Sequence, residues 1–236
     1  MSLKRVLLLE DDASVRRFVT MALDDADIEL VHCDSVAAVL SALASGAVFS
    51  LAVTDLSLAD GSALPLVEWL ALSQRCRVAV FSAGVTPDVR GRLEKAGVWR
   101  ILEKPVALAQ LRTCVAEGVN DRALKSEVSR QAETARSGDA TASFFGGKAE
   151  LYAEFERSCR HQFLEDVRLG DEASEQKDMA ELRRLAHSLK TVLTLLGYEQ
   201  HAATARLLDR SAASGRVEEA LRWWHMLRPI LLAEAV

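Results

Sequence analysis

Residues 51–61 read LAVTDLSLADG, and this stretch decides how the first half of the chain folds. Leu51, Ala52, Val53 and Thr54 form a short apolar run of the length of a buried strand. The run ends in a carboxylate, Asp55, and the Asp60-Gly61 pair closes the following loop with a turn signal. In an α/β protein, ligands and chemistry sit beyond the carboxyl ends of parallel strands. A single aspartate there could equally cap the next helix, so the other strand ends have to be read with it.

Working outward, four more apolar runs are spaced as strands near residues 5–9, 28–32, 77–81 and 100–102. Helical stretches near 13–25, 35–45, 64–74, 87–96 and 107–118 separate or follow them. Alternation of this kind indicates βαβ units and a parallel sheet. The first strand runs into Glu10-Asp11-Asp12, the fourth ends in Ser82, and the fifth runs into Glu103-Lys104-Pro105. In a parallel sheet these ends converge with Asp55 at one edge. Clustered carboxylates suit a hard divalent cation such as Mg2+. A lysine and a hydroxyl opposite them suit phosphoryl oxygens. Asp55, ionised at neutral pH, is then a nucleophile that can form an aspartyl phosphate.

The stretches LLLEDDASVRR, VTDLSLADG, VAVFSAG and ILEKP closely resemble the receiver domain of two-component response regulators. The resemblance covers residues 3–120. It implies a flavodoxin-like, doubly wound, five-stranded parallel sheet, with Asp55 as the phosphoacceptor. Glu10 and Asp11 would hold Mg2+ together with Asp55 and the backbone carbonyl of Ser57. Ser82 and Lys104 would contact the phosphoryl oxygens. Two residues depart from the family. Ile101 stands where many receivers carry a switch tyrosine or phenylalanine, and Ala59 stands where proline is common. A haloacid-dehalogenase type of hydrolase would place a second aspartate where this chain has Ser57.

The formal net charge of −5 argues against nonspecific affinity for nucleic acid or an anionic membrane. Four scattered cysteines without a C-x-x-C pair fit free thiols in a reducing cytoplasm. No signal peptide is expected from the N-terminus, and no apolar run approaches the roughly 20 residues of a membrane span. No ATP-binding domain is visible, so the expectation is a phosphotransfer protein and not an enzyme acting on a separate substrate.

Composition shifts over residues 121–143, which are rich in Ala, Arg and Glu and then in Ser, Gly and Thr. A helical extension to about residue 136 followed by a flexible joint is expected. A charged helix of this kind is ordinarily a solvated linker. A homodimer through it or through the receiver stays open as an alternative.

Residues 144–236 contain no strand-like run. Four helical segments, 148–169, 175–196, 199–213 and 216–234, predict an all-α four-helix bundle, with Gly170, Gly197 and Gly215 near helix ends. Gly146-Gly147-Lys148 lacks the earlier glycine and the following Ser or Thr of a phosphate-binding loop. On a helical wheel, Leu182, Leu185, Leu189, Val192, Leu193 and Leu196 share an arc about 100° wide, and His187 lies roughly 170° from its centre. Arg183, Lys190, Thr191 and Thr194 fall near His187, which is expected to face solvent among cations, with no carboxylate on its side of the helix. An ordinary surface histidine is the plain alternative. An exposed imidazole is also a competent nucleophile toward phosphorus.

AHSLKTVLTLLG resembles the motif of histidine phosphotransfer (HPt) domains, and FFGGKAELYAEFERSCRHQF resembles their first long helix. The resemblance implies that His187 is phosphorylated and Lys190 is its flanking cation. Thr191 departs from the family's glycine and is expected to crowd an approaching receiver. The whole pattern implies a phosphorelay protein, with a sensor histidine kinase and another receiver as partners. The alternative is a phosphorylation-switched binding module whose bundle docks a partner without accepting phosphate. Residues 141–236 carry 13 Lys and Arg against 15 Asp and Glu, which disfavours a DNA-binding output domain.

Overall fold

Strand β3 (Leu51–Thr54) is buried at every position, which explains why its sequence is continuously apolar and does not alternate. It lies at the centre of a five-stranded sheet with β1 (Lys4–Leu9), β2 (Ile28–Cys33), β6 (Arg77–Ser82) and β7 (Arg100–Glu103). All pairings are parallel, in the order β2-β1-β3-β6-β7. This computed structural model describes residues 3–120 and 140–235. The expected linker helix falls at 121–136, outside the described residues.

The chain leaves β1 for β2 on one side and then crosses to β3 on the other. The sheet order therefore reverses between β1 and β3, and right-handed crossovers put helices on both faces. Helices α1 (Ala13–Leu23), α2 (Val36–Ala44), α3 (Leu64–Leu72), α4 (Pro87–Ala96) and α5 (Leu108–Val119) separate or follow the strands. The starts of α1, α2 and α4 use local polar groups. Asp12 accepts from Val15 N at 2.7 Å, Ser35 Oγ from Ala38 N at 3.3 Å, and Thr86 Oγ1 from Val89 N at 3.4 Å. The Asp60-Gly61 turn closes a small antiparallel hairpin, β4 (Ser57–Leu58) with β5 (Gly61–Ser62), where a plain loop was expected.

A short helix, α6 (Ala140–Phe145), precedes a second compact unit that contains Lys148–Val236. That unit holds α7 (Ala149–Glu175), α8 (Met179–Leu195), α9 (Glu199–Ala213) and α10 (Val217–Glu234). Helix α7 packs on α8 and α10, α9 packs on α8 and α10, and α8 touches α10 across the middle, which closes a four-helix bundle. The leucine arc of α8 is buried throughout, as its spacing predicts.

Helix α7 is longer than its sequence indicates. Gly170 does not end it but sits inside it, where a Cβ would lie 2.2 Å from the ring of Trp224 on α10. Trp224 Nε1 donates to Asp171 Oδ1 at 3.1 Å, and Arg228 Nε reaches both Asp171 oxygens at 2.8 Å. The glycine is required by the approach of an indole, not by chain reversal. Gly118 plays a related part in the sheet unit, where its Cβ would meet Leu51 Cδ2 at 2.7 Å.

These two glycines give a graded prediction. Gly→Ala gains up to about 1 kcal/mol of helix propensity, whereas overpacking costs about 1–3 kcal/mol. At Gly118 the added Cβ meets the branched end of Leu51 at 2.7 and 3.0 Å, whereas at Gly170 it meets, at 2.2 Å, a Trp224 ring that Asp171 holds through its Nε1. Gly170→Ala should lower stability by about 1–2 kcal/mol net, and Gly118→Ala should be close to neutral. Urea denaturation followed by circular dichroism checks the order, and equal effects would contradict it.

Candidate functional site

The β1–β3 register pairs Leu9 with Thr54, so the next residues on each strand, Glu10 and Asp55, emerge side by side at the switch point. Asp55 N donates to Leu9 O at 2.8 Å, and Lys104 N donates to Ser82 O at 3.0 Å. Backbone pairing thus brings four strand ends to one place before any side chain acts. Asp55 is only 2% exposed. Its Oδ1 accepts from Leu56 N at 2.5 Å, Ser57 N at 3.1 Å and Ser82 Oγ at 2.5 Å. Its Oδ2 accepts from Lys104 Nζ, which also donates to Glu10 Oε2.

Burial works to raise the Asp55 carboxyl. The Lys104 ammonium and the hydrogen bonds from Lys104, Ser82 and Ser57 outweigh it, and the group sits below the usual carboxylate range. Burial works to lower Lys104, but the charges of Asp55 and Glu10 hold it above an ordinary lysine. The stabilisation from this cluster is therefore complete above the usual carboxylate range and below the usual lysine range. It is lost in acid, as pH falls through the depressed Asp55 value, and in strong base.

Asp11 Oδ2 accepts from Ala59 N at 2.8 Å, a bond that the proline common in receivers could not donate. Ile101 pairs with Val80 and is half-buried against the core. Glu10, Asp11 and Asp55 supply only hard oxygen donors, which in type suit Mg2+. As they stand, Lys104 engages Glu10 and Asp55, and Ala59 engages Asp11. Among the described residues no three Asp, Glu, His or Cys side chains are gathered as a metal-binding group. All four cysteines are free, and burial pushes the Cys76 and Cys114 thiols up to about 11.

The second site lies within the bundle. Its histidine is less exposed than the wheel predicts, with a side chain 21% accessible. Thr191, at 3%, and Thr194 are buried, so the expected crowding by Thr191 has no exposed side chain to act through. Helix α9 supplies the reason on one flank. Its Asp209 lies beside the stripe of Arg183, His187 and Lys190. Lys190 Nζ is 3.0 Å from His187 Nδ1 and 3.2 Å from Asp209 Oδ2, and Arg183 Nε is 3.6 Å from Asp209 Oδ1. Nδ1 is 3.8 Å from Asp209 Oδ2, a close electrostatic contact beyond hydrogen-bond reach. Burial works to raise Asp209, but His187 and Lys190 beside it hold the group below the usual carboxylate range.

Asp209 is the residue that the sequence pattern missed. His187 lies ten residues before Gly197 and Asp209 twelve after it. In a helical hairpin turning at that glycine, such positions meet, so the distance from the turn was the available signal. The other histidines have no such setting. His32 and His225 are exposed, and His201 packs edge-on against Tyr198.

Residues 6–116 match the response regulator receiver domain family. With the β1/β3 switch point and its acid, hydroxyl and lysine cluster, this part of the chain is a receiver domain of a two-component system. Over 221 residues the chain is 29% identical to the sensory/regulatory protein RpfC of Xanthomonas campestris pv. campestris, covering 88% of this chain and 30% of RpfC. It is 30% identical over 128 residues to the response regulator protein PilR of Pseudomonas aeruginosa, covering 54% of this chain and 28% of PilR. The chain spans less than a third of the length of these curated relatives. Among solved structures, a CheY-like receiver domain protein from Methanospirillum hungatei JF-1 is similar at 21% identity. That match has a TM-score of 0.47 and covers 50% of this chain and 94% of the other. Among the described residues, no helix is long and apolar enough to cross a membrane.

Replacing Lys104 by Met would leave Glu10 and Asp55 as neighbouring buried carboxylates with no shared cation. Loss of one partner from a buried ionic cluster costs about 3–5 kcal/mol. Lys104→Met should lose stability of that order at pH 7, and adding Asp55→Asn should recover part of it. The two carboxyls of the variant would have raised pKa values, so its stability should increase as pH falls from 7 toward 5. Chemical denaturation at both pH values checks this, and a flat profile would contradict it.

Proposed function

We propose that the chain is a two-domain phosphorelay protein. The receiver takes a phosphoryl group on Asp55 from the phosphohistidine of a sensor histidine kinase. The bundle carries a phosphoryl group on His187 to or from a receiver. The observation that supports this most directly is the Asp55 carboxylate. It is buried, ionised, fixed through Oδ1 by three donors, and offered through Oδ2 to a single ammonium.

In the first transfer Asp55 Oδ2 attacks phosphorus. The N–P bond of the donor breaks, and its electron pair stays on the donor imidazole. Ser82 Oγ and Lys104 Nζ turn from the carboxylate to the phosphoryl oxygens, which now carry the charge. Glu10, Asp11, Asp55 and the Ser57 carbonyl would hold Mg2+, which when bound supplies further neutralisation of those oxygens. Such a reaction depends on positioning and charge stabilisation. The receiver would catalyse only its own phosphorylation and dephosphorylation.

The pairing of His187 with Lys190 one turn along supports the second half of the reading, as does the RpfC alignment. Its 88% share of the chain is more than either unit alone supplies. The docking-module alternative is favoured by one observation, the limited exposure of His187.

Incubation of the full chain with acetyl phosphate and Mg2+ tests the receiver. Base-labile label should appear on Asp55 and vanish in Asp55→Asn or in excess EDTA. Exposure to a separately phosphorylated receiver tests the bundle, and acid-labile, base-stable label should appear on His187. Label on Asp55 without any on His187 would favour the docking module.

A further inference from the structure

Ser57 pairs with Ser62 and Leu58 with Gly61, so Ala59 and Asp60 are the two turn residues of the β4–β5 hairpin. The base of the hairpin is fixed. Ala63 N donates to Leu56 O at 2.9 Å, and Leu56 and Leu58 are buried in the core of the sheet unit. The two turn residues bond to two different elements. Ala59 N donates to Asp11 Oδ2 at 2.8 Å, at the end of β1. Asp60 Oδ2 accepts from Val36 N at 3.2 Å, at the first residue of α2. The N-cap Ser35 already serves Ala38, so Asp60 satisfies a further open amide of that helix end. A carboxylate is also favoured there by the positive end of the helix dipole.

One hairpin therefore touches both carboxylates that flank the switch point. Ser57 N donates to Asp55 Oδ1 at 3.1 Å, and Ala59 N holds Asp11. A carboxylate has two oxygens and about four acceptor sites, so one amide on Oδ2 fixes the group and leaves capacity for a cation. An amide has no net charge, so it does this without the repulsion that an ammonium would add. Carboxylates that bind metals are themselves held by such donors, and losing one typically weakens metal binding about ten- to a hundredfold.

We propose that the β4–β5 hairpin is an arm that sets the Mg2+ affinity of the acidic pocket by aiming Asp11. Ala59 supplies the donor, and Asp60, bonded to the start of α2, keeps that donor in place. Neither side chain touches the cation, and both are positioning residues. Proline at position 59 would remove the donor while leaving every ligand in the chain. The inference rests on reading Glu10, Asp11, Asp55 and the Ser57 carbonyl as the Mg2+ ligands.

The test needs no phosphate. MgCl2 is titrated into the 15N-labelled full chain, and the dissociation constant is read from amide shifts, with folding of each variant checked by circular dichroism. Ala59→Pro should weaken Mg2+ binding about tenfold or more, whereas Ala59→Gly, which keeps the N–H, should stay close to the wild type. Asp60→Ala should weaken it about two- to tenfold, the worth of one ordinary hydrogen bond. Asp60→Asn keeps an oxygen that accepts from Val36 N and should recover most of that loss, which separates position from charge. A folded Ala59→Pro chain that binds Mg2+ as tightly as the wild type, or more tightly, overturns the arm. If that variant does not fold, wild-type affinity in Asp60→Ala overturns it. Equal losses in Asp60→Ala and Asp60→Asn also overturn it, because charge would then be the cause. A wild-type chain that takes up no Mg2+ overturns the Mg2+ reading of the pocket and the arm with it, whereas Mg2+ uptake insensitive to these variants overturns the arm alone.

Discussion

Lys104 Nζ bridges Glu10 and Asp55 across the point where the strand order reverses, and the receiver half of this protein depends on that contact. Three charged groups are nearly sealed from water, which is costly unless they are paired and hydrogen-bonded. Glu10 follows β1, Asp55 follows β3 and Lys104 follows β7, so the cluster forms only when three separate strands are in register. The apolar runs supply the driving force for the sheet. The charges tolerate only the register that brings them together. The same arrangement suits the proposed chemistry, because an ammonium and a hydroxyl that steady a carboxylate at rest could turn to a phosphoryl group bonded to it.

The receiver was readable because most of its candidate site residues are local to a strand end. An apolar run followed at once by an acid, a hydroxyl or a lysine places that side chain at the sheet edge, whatever the helices between do. Asp55, Glu10, Ser82 and Lys104 all obey this rule. Asp11 and the β4–β5 hairpin do not, because their partners are set by loop geometry. Neither the Asp11–Ala59 bond nor the folding of residues 57–62 into paired strands follows from any periodicity.

The bundle was harder to read, since a helical wheel treats one helix as though nothing lay beside it. It assigned the leucine arc of α8 correctly, because burial against a core depends on the helix's own pattern. It placed His187, Thr191 and Thr194 in solvent, because it knows nothing of α9. The spacing of glycines between helical segments likewise marked Gly170 as a terminator, although the same residue is what allows an indole to lie against α7. Glycine signals chain reversal or close approach with equal force, and only the partner helix distinguishes them.

The departure at position 59 shows how a single backbone atom redistributes charge. A proline in the hairpin would leave Asp11 Oδ2 without its 2.8 Å donor. Alanine supplies an N–H, and that bond ties the acidic end of β1 to the loop following Asp55. An amide hydrogen carries only a partial charge, so its part is to orient Asp11. Glu10, by contrast, is neutralised by Lys104. Of the acids after β1, Glu10 therefore meets a full cation, while Asp12 caps α1 and Asp11 meets the Ala59 amide. Three adjacent acids therefore meet donors from three different parts of the fold: the ammonium of Lys104 after β7, the amide of Ala59 in the hairpin and the amide of Val15 in α1.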